Sequence, residues 1–172
     1  MNFWPTLGDW DSVIIGPPSV LSLQPGLLTT FASGVWPAAN RALYVPFRVP
    51  RALAIANAWI LNGATNGNNF DIGIYTMGGV KLGSTGSTAQ GTINTVQTTA
   101  LAVTLGPGTY YMALAFNGTT STVFRATPVA RILAALGVLQ QATAFALPAT
   151  STPVSPTSAY LPLFGVSGRS VI

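Results

Sequence analysis

The chain lacks two of the side chains on which most active sites and metal sites depend. Cysteine and histidine are both absent, and the 172 residues contain only three carboxylates, Asp9, Asp11 and Asp71. The absence of cysteine excludes disulfides, thiolate zinc sites and a cysteine nucleophile. Without histidine, no imidazole is present to activate a serine or threonine. We therefore expect a protein that is not an enzyme and that carries neither a metal ion nor a cofactor.

Charge of either sign is also scarce. Charged residues make up 6% of the chain, against about 25% in typical soluble domains. Hydrophobic residues make up 49%, and such a composition predicts a folded chain because disorder needs low hydrophobicity and high charge. A free monomer usually needs more surface charge to stay soluble, whereas a subunit packed among other subunits buries part of its surface. The composition therefore favours a homo-oligomer, for instance a trimer.

Long apolar runs and clustered basic residues are missing too. No run approaches the 18 apolar residues of a membrane span, and no Lys or Arg precedes an apolar core near the N-terminus. We therefore expect no membrane association and no secretory signal, with synthesis in the cytoplasm. The basic residues Arg41, Arg48 and Arg51 form the only cluster, which is too small to predict a nucleic-acid partner.

What the chain does contain is turn residues and alternating apolar segments. Glycine (18) and proline (13) are frequent, which disfavours long helices and favours a turn-rich β architecture. Strand patterns occupy residues 42–49, 52–61, 69–76, 79–83, 98–105, 109–117 and 121–126. No helix of crossover length separates them, so the pattern predicts an all-β fold, an antiparallel, jelly-roll-like β-sandwich over residues 41–127.

Two of these segments also predict which side chains share a face. In residues 69–76, Phe70, Ile72 and Ile74 are predicted on one face, with Asp71, Gly73 and Tyr75 on the other. In residues 52–61, the larger side chains are predicted to share one face: Leu53, Ile55, Asn57 and Trp59.

The flanking segments predict a different organisation. Residues 1–40 are interpreted as an extended N-terminal arm, which lies either on its own sandwich or on a neighbouring subunit. Residues 128–172 are interpreted as a short helix, a Pro-rich extended segment and a closing strand. The helix, capped by Thr127, follows from the helical spacing of apolar residues, and a buried strand is the alternative because the run is short. Pro162 predicts an edge strand.

Apolar side chains left over from the sandwich suggest an assembly surface. The strands of residues 41–127 already offer enough apolar side chains for a core, so those that follow are predicted to contact a partner subunit. These are Ile132, Leu133, Leu136, Leu139, Leu161, Leu163 and Phe164. The alternative is that the helix closes one end of its own sandwich. Strand aromatics suggest a second surface, on which Tyr75, Tyr110 and Tyr111 would stack on a glycan.

An Asn-rich loop is the one candidate for a cation. Asn66, Asn68, Asn69 and Asp71 offer oxygen atoms, but Ca²⁺ usually takes 6–8 oxygens with several carboxylates among them. A turn built from Asn and Gly is therefore the favoured interpretation.

Two stretches resemble known protein classes. FDIGIYTMGGVKLGSTGS followed by TLGPGTYYMALAFNG resembles a recurrent extracellular and viral β-sandwich pattern, in which a strand ending in Ile-Tyr meets a glycine turn. ARILAALGVLQQATAFALP with YLPLFGVSGRS is similar to segments of small structural proteins of tailed bacteriophages. The resemblance covers roughly residues 42–165 and implies a jelly-roll-like virion protein: a capsid decoration, head-fibre or tail component that binds other virion proteins. It implies no catalytic residues. The alternative function is a carbohydrate-binding module for host-surface recognition.

Overall fold

The structure is a computed structural model that describes residues 31–168. Within these residues the chain forms twelve strands and one helix. The strands are β1 (Ala32–Val35), β2 (Ala42–Val49), β3 (Leu53–Leu61), β4 (Asn69–Thr76), β5 (Lys81–Ser84), β6 (Thr88–Ala89), β7 (Val96–Leu105), β8 (Gly108–Phe116), β9 (Thr122–Ala126), β10 (Leu139–Gln141), β11 (Leu161–Pro162) and β12 (Phe164–Ser167); the helix is α1 (Ala130–Ala135). All seven strands predicted from alternation are present, with bounds shifted by two residues at most.

The strands form three antiparallel sheets. The large sheet has the order β10-β2-β8-β4-β5, with β6 pairing with β4, and two smaller sheets have the orders β12-β3-β7 and β1-β9-β11. One apolar core contains side chains from all three sheets, so the large sheet packs against the two smaller ones. The predicted all-β antiparallel sandwich with one short helix is confirmed.

Alternation along the large sheet separates an inner face from an outer face. The inner face supplies the core with alternate residues of β2, β4 and β8: Leu43, Val45, Phe47, Val49, Phe70, Ile72, Ile74, Met112, Leu114 and Phe116. The faces predicted for residues 69–76 are therefore correct. The outer face carries small or polar side chains between its tyrosines, which leaves room for another layer above it.

The faces predicted for β3 are wrong beyond its middle. The pairing of β3 with β7 shifts between Ile55 and Asn57, because two steps along β3 pair with the three steps from Val103 to Ala100 along β7. The extra residue lies on β7, and such an irregularity can interrupt the alternation of the paired strand. Ala58 and Ile60 therefore join Ile55 in the core, whereas Trp59 points to the opposite side, against Gly165.

The helix exists but is shorter than the spacing predicted. It covers six residues, and its N-cap is Val129, which makes no side-chain capping hydrogen bond, rather than Thr127. Gly137 has a φ of +77°, the left-handed conformation that ends helices. Leu139 consequently lies in β10 and not on the helix, so the segment contains both a helix and a strand.

The predicted flanks are partly built into the sandwich. Strand β1, from the predicted arm, pairs with β9, and Trp36 is buried. The rest of the predicted arm, residues 1–30, lies outside the described residues. Pro162 lies in β11 at the edge of its sheet, as predicted, and pairs with Arg125.

Residues 142–151, which we call the strap, cover the outer face of the large sheet. Ala144 and Leu147 of the strap pack on a second apolar cluster formed by Ala42, Tyr44, Tyr75, Ala113 and Ala115. Close packing depends on Gly73, because a Cβ atom there would lie 2.8 Å from Cδ1 of Leu147. The small residues on the outer face therefore allow the strap to lie close to the sheet.

Candidate functional site

Three of the seven side chains predicted to form a subunit interface lie in the core of the chain itself. Leu133, Leu161 and Phe164 are at most 1% exposed and belong to the main core. The prediction is corrected for these three, because their apolar contacts are already made within the chain. Strands of residues 41–127 do not fill the core by themselves, and α1, β11 and β12 complete it.

The other four predicted interface residues are half-buried. Leu136 and Leu163 pack against the main core, and Ile132 is also partly covered. Leu139 packs on the opposite side of the large sheet, beside the second cluster. The predicted stripe is therefore divided between two faces of the molecule.

The three tyrosines predicted to bind a glycan do not form one platform. Tyr75 is fully buried, and its hydroxyl donates to the carbonyl of Pro148 at 2.7 Å. Tyr110 is on the inner face, where its ring centroid lies 6.0 Å from that of Phe47. Tyr111 is on the outer face, because consecutive residues of a strand point to opposite sides. Tyr111 lines a groove.

A different set of tyrosines does lie together on the outer face. The ring centroids of Tyr44 and Tyr75 are 5.3 Å apart, and those of Tyr44 and Tyr111 are 6.4 Å apart, both in edge-on arrangements. We call these three side chains, on β2, β4 and β8, the tyrosine row. Burial raises the pKa of Tyr44 to about 12 and also raises the pKa of Tyr75. Sequence reasoning did not group Tyr44 with Tyr75 and Tyr111, although alternation in residues 42–49 places it opposite the apolar face.

A groove opens beside Tyr111, between the β4–β5 turn and the end of the strap. Its volume is about 250 Å³, and its lining consists of Met77, Gly78, Gly79, Tyr111, Leu139, Ser151 and Pro153. Met77 of the lining is 51% exposed, and Val80 and Val154, each of which directly follows a lining residue, are 52% and 61% exposed. We call Met77, Val80 and Val154 the apolar rim. Val80 bridges to Thr150, and Val154 follows Pro153, so both adjoin the groove lining.

A charged clamp holds the middle of the strap. The Leu147 N–H donates to Oδ2 of Asp71 at 3.0 Å, and Nζ of Lys81 donates to the Leu147 carbonyl at 2.6 Å. Desolvation by burial raises the pKa of Asp71, and hydrogen bonds from Leu147, Ser84 and Thr85 together with the charge of Lys81 oppose that rise. We call Asp71 and Lys81 the Leu147 clamp.

The Asn-rich loop forms hydrogen bonds within the protein. The side-chain amides of Asn66 and Asn69 donate to the Gly91 carbonyl and to the Ser87 hydroxyl, and the side-chain Oδ1 of Asn68 accepts from the Ser121 N–H. Asp71 is buried under the strap instead of facing this loop. The loop thus has the hydrogen bonding of a structural turn. Residues 31–168 contain no group of three or more His, Cys, Asp or Glu side chains that could hold a metal ion.

A buried amide network was not predicted from the sequence. Nε2 of Gln90 donates to Oδ1 of Asn62 at 3.1 Å, and Nδ2 of Asn62 donates to Oε1 of Gln97 at 3.0 Å. Gln97 also accepts from the Gly91 N–H and donates to the Ala89 carbonyl. These contacts secure the polar segment between β6 and β7, so the three amides have a structural role.

Comparisons with family models, with curated proteins and with solved structures return no match for this chain. In the part of the chain that the structure describes, no helix has the length and apolar character needed to cross a membrane.

Proposed function

We propose that this chain is a non-enzymatic structural subunit of a bacteriophage particle, a capsid decoration, head-fibre or tail component. It acts through contacts with copies of itself and with other virion proteins. The observation that carries the proposal is the set of large apolar side chains exposed on a nearly uncharged surface. In residues 31–168 these are Phe31, Val35, Met77, Val80, Leu82, Ile93, Val96, Val129 and Val154.

Charge does little to keep such surfaces apart. Six of the seven basic residues lie within residues 31–168, and the seventh is Arg169. Of the three carboxylates, only Asp71 lies within this range, and its side chain is buried. A surface with few charges and several exposed apolar side chains favours association. Assignment to a phage particle rests on the resemblance of residues 130–148 and 160–170 to phage structural proteins.

The apolar rim is the surface that we assign to this contact. Met77, Leu139 and Tyr111 line the groove, and the exposed Val80 and Val154 directly follow lining residues. A partner side chain inserted into the groove would contact these groups. Burying one large aliphatic side chain contributes about 1.5–3 kcal/mol to the free energy of association. A few such side chains at the centre of an interface can dominate its affinity. The rim therefore replaces the apolar stripe predicted from the sequence.

Sedimentation analysis of the purified chain tests the contact. We expect the wild-type protein to self-associate, and we expect Met77→Lys with Val154→Lys to produce a folded monomer, because both side chains are exposed. The matched control is Ile93→Lys with Val129→Lys, which adds the same charge at exposed positions outside the groove lining. A wild-type protein that stays monomeric, or a control that dissociates as fully as the rim variant, would contradict the proposal.

The phage assignment has a separate test. Mass spectrometry of purified particles should find this chain at a high copy number that matches the particle symmetry. Its absence from particles would remove the virion role and leave the self-association intact.

One observation favours carbohydrate binding as a second candidate function. Tyr111 lines the groove, so an aromatic ring is available there to stack on a sugar. Glycan-array binding by the wild-type chain, lost in Tyr111→Ala and retained in Ile93→Ala, would favour this function. Binding without self-association would replace the first candidate by the second.

A further inference from the structure

We propose that the strap, residues 142–151, opens as a local unit while the sandwich stays folded, and that the Leu147 clamp controls this opening. An open strap uncovers the tyrosine row. The inference goes beyond the proposed function, because it identifies a covered surface and the element that covers it.

The clamp concentrates scarce charge on one residue of the strap. Lys81 is the only lysine of the chain, and Asp71 is the one carboxylate among residues 31–168. They bind the N–H and the carbonyl of the same residue, Leu147, at 3.0 Å and 2.6 Å. Hydrogen bonds to ionised groups are roughly twice as strong as neutral ones. The clamp is therefore the strongest single attachment of the strap.

The remaining attachments of the strap are also polar. The Ala144 N–H donates to Asn40 at 2.6 Å near the beginning of the strap. At its end, Lys81 N–H donates to Ala149 at 2.9 Å and Ser151 N–H donates to Gly79 at 2.8 Å. Together with the bond from the Tyr75 hydroxyl to the Pro148 carbonyl at 2.7 Å, they connect the strap to β4, to residues 79–81 and to Asn40, two residues before β2. They can break without disturbing the strand pairing inside the large sheet.

Apolar packing holds the strap through only three of its side chains. Ala144 and Leu147 are buried against the second cluster, and the partly buried Phe145 packs against the same cluster. The main core, by contrast, joins side chains from all three sheets. Thr143 has a φ of 51°, a left-handed conformation that is costly for a β-branched residue. Segments with few buried apolar contacts open at a lower free energy than the core.

Opening of the strap has a defined structural consequence. Tyr44 and Tyr75 are fully buried under it, whereas Tyr111 reaches the groove at its end. Removing the strap would join all three rings into one surface on the outer face of the large sheet. That surface would be continuous with the groove already open at Tyr111.

Native-state hydrogen exchange on the full chain tests the inference. In the wild type we expect the amides of Ala144, Leu147 and Ser151 to exchange faster than those of β8. We also expect their exchange rates to change little when low concentrations of urea are added. Lys81→Met should accelerate strap exchange roughly tenfold or more, because it removes a charged hydrogen bond, and should leave β8 unchanged. The matched control is Arg48→Met, which removes an exposed positive charge from β2. It should alter neither region.

Chymotrypsin provides a second measurement, since cleavage after Phe145 requires an open strap. We expect cleavage at this bond in the folded wild type and faster cleavage in Lys81→Met. Strap amides that exchange only together with β8 in the wild type would overturn the inference. So would a Lys81→Met variant in which strap and β8 accelerate equally. The wild-type measurement decides the question even if the variant does not fold.

Discussion

At the scale of the residue, the outer face of β4 contains the positions with the most specific roles. Asp71, Gly73 and Tyr75 alternate with core residues, and each contacts the strap: Asp71 and Tyr75 through hydrogen bonds, and Gly73 by leaving space for Leu147. Alternation in the sequence predicts that these three residues share a face. It does not reveal that this face is covered.

We expect Asp71 to make folding depend on pH. Burial raises its pKa above the ordinary value of 3.8, so the folded chain binds this proton more tightly than the unfolded chain. The contribution of this proton to the free energy of unfolding is complete below the pKa that Asp71 has in the unfolded chain. It is lost as the pH rises through the higher pKa that Asp71 has in the folded chain. Urea unfolding at a series of pH values should therefore show wild-type stability falling relative to Asp71→Asn over that range. Asp9 and Asp11 are common to both proteins, and parallel pH profiles would contradict the expectation.

Gly73→Ala should destabilise the protein by about 1–3 kcal/mol, the usual cost of overpacking. The added methyl would lie 2.8 Å from Leu147 and 3.1 Å from the Gly83 carbonyl. The matched control is Gly106→Ala, since a Cβ at Gly106 meets nothing within 4 Å. Denaturant unfolding measures the difference in free energy of unfolding between the two variants. Equal values would contradict the prediction and show that the strap can move to accommodate the methyl group without loss of stability.

At the scale of the element, the helix shows how a correct pattern led to a wrong role. The spacing of apolar residues indicated helix α1, and the structure contains it. The same spacing suggested a free apolar stripe, but Leu133 is fully buried in the core of the chain. Periodicity identifies the apolar side of a helix without revealing what that side packs against.

Leu133→Ala should lower the free energy of unfolding by about 2–5 kcal/mol, as expected for a large-to-small substitution in a core. Val129→Ala, just before the helix, is the control: Val129 is 62% exposed, and exposed substitutions usually change stability by less than about 0.5 kcal/mol. Thermal or urea unfolding distinguishes the two. A Leu133→Ala variant of wild-type stability that loses self-association would restore the predicted interface at this residue.

At the scale of the whole molecule, the shortage of charge shapes both the surface and the interior. Asp71 and Lys81 are used inside the fold, and the described surface is left with arginines and neutral side chains. Asp71, the one carboxylate among the candidate cation ligands, is buried, and Oδ1 of Asn68 accepts a hydrogen bond from the Ser121 N–H.

EDTA should therefore leave the thermal unfolding midpoint unchanged. A bound ion that stabilises only the folded state would make the midpoint depend on chelation. Circular dichroism melts with and without EDTA test this expectation. A decrease of several degrees on chelation would point to a cation held by the Asn66–Asn69 loop.

The sequence by itself determined the strands of the sandwich and most of their faces, because a period of two residues is a local property. One irregularity in the pairing with β7 was enough to exchange the faces of β3, since the local pattern of β3 contains no signal for it. Only the tertiary structure decided which apolar side chains stay exposed. It brought α1, β11 and β12 into the core and placed the strap over the tyrosine row. The Leu147 clamp joins Asp71 to a residue 76 positions away, and such a contact depends on chain packing that no local pattern encodes.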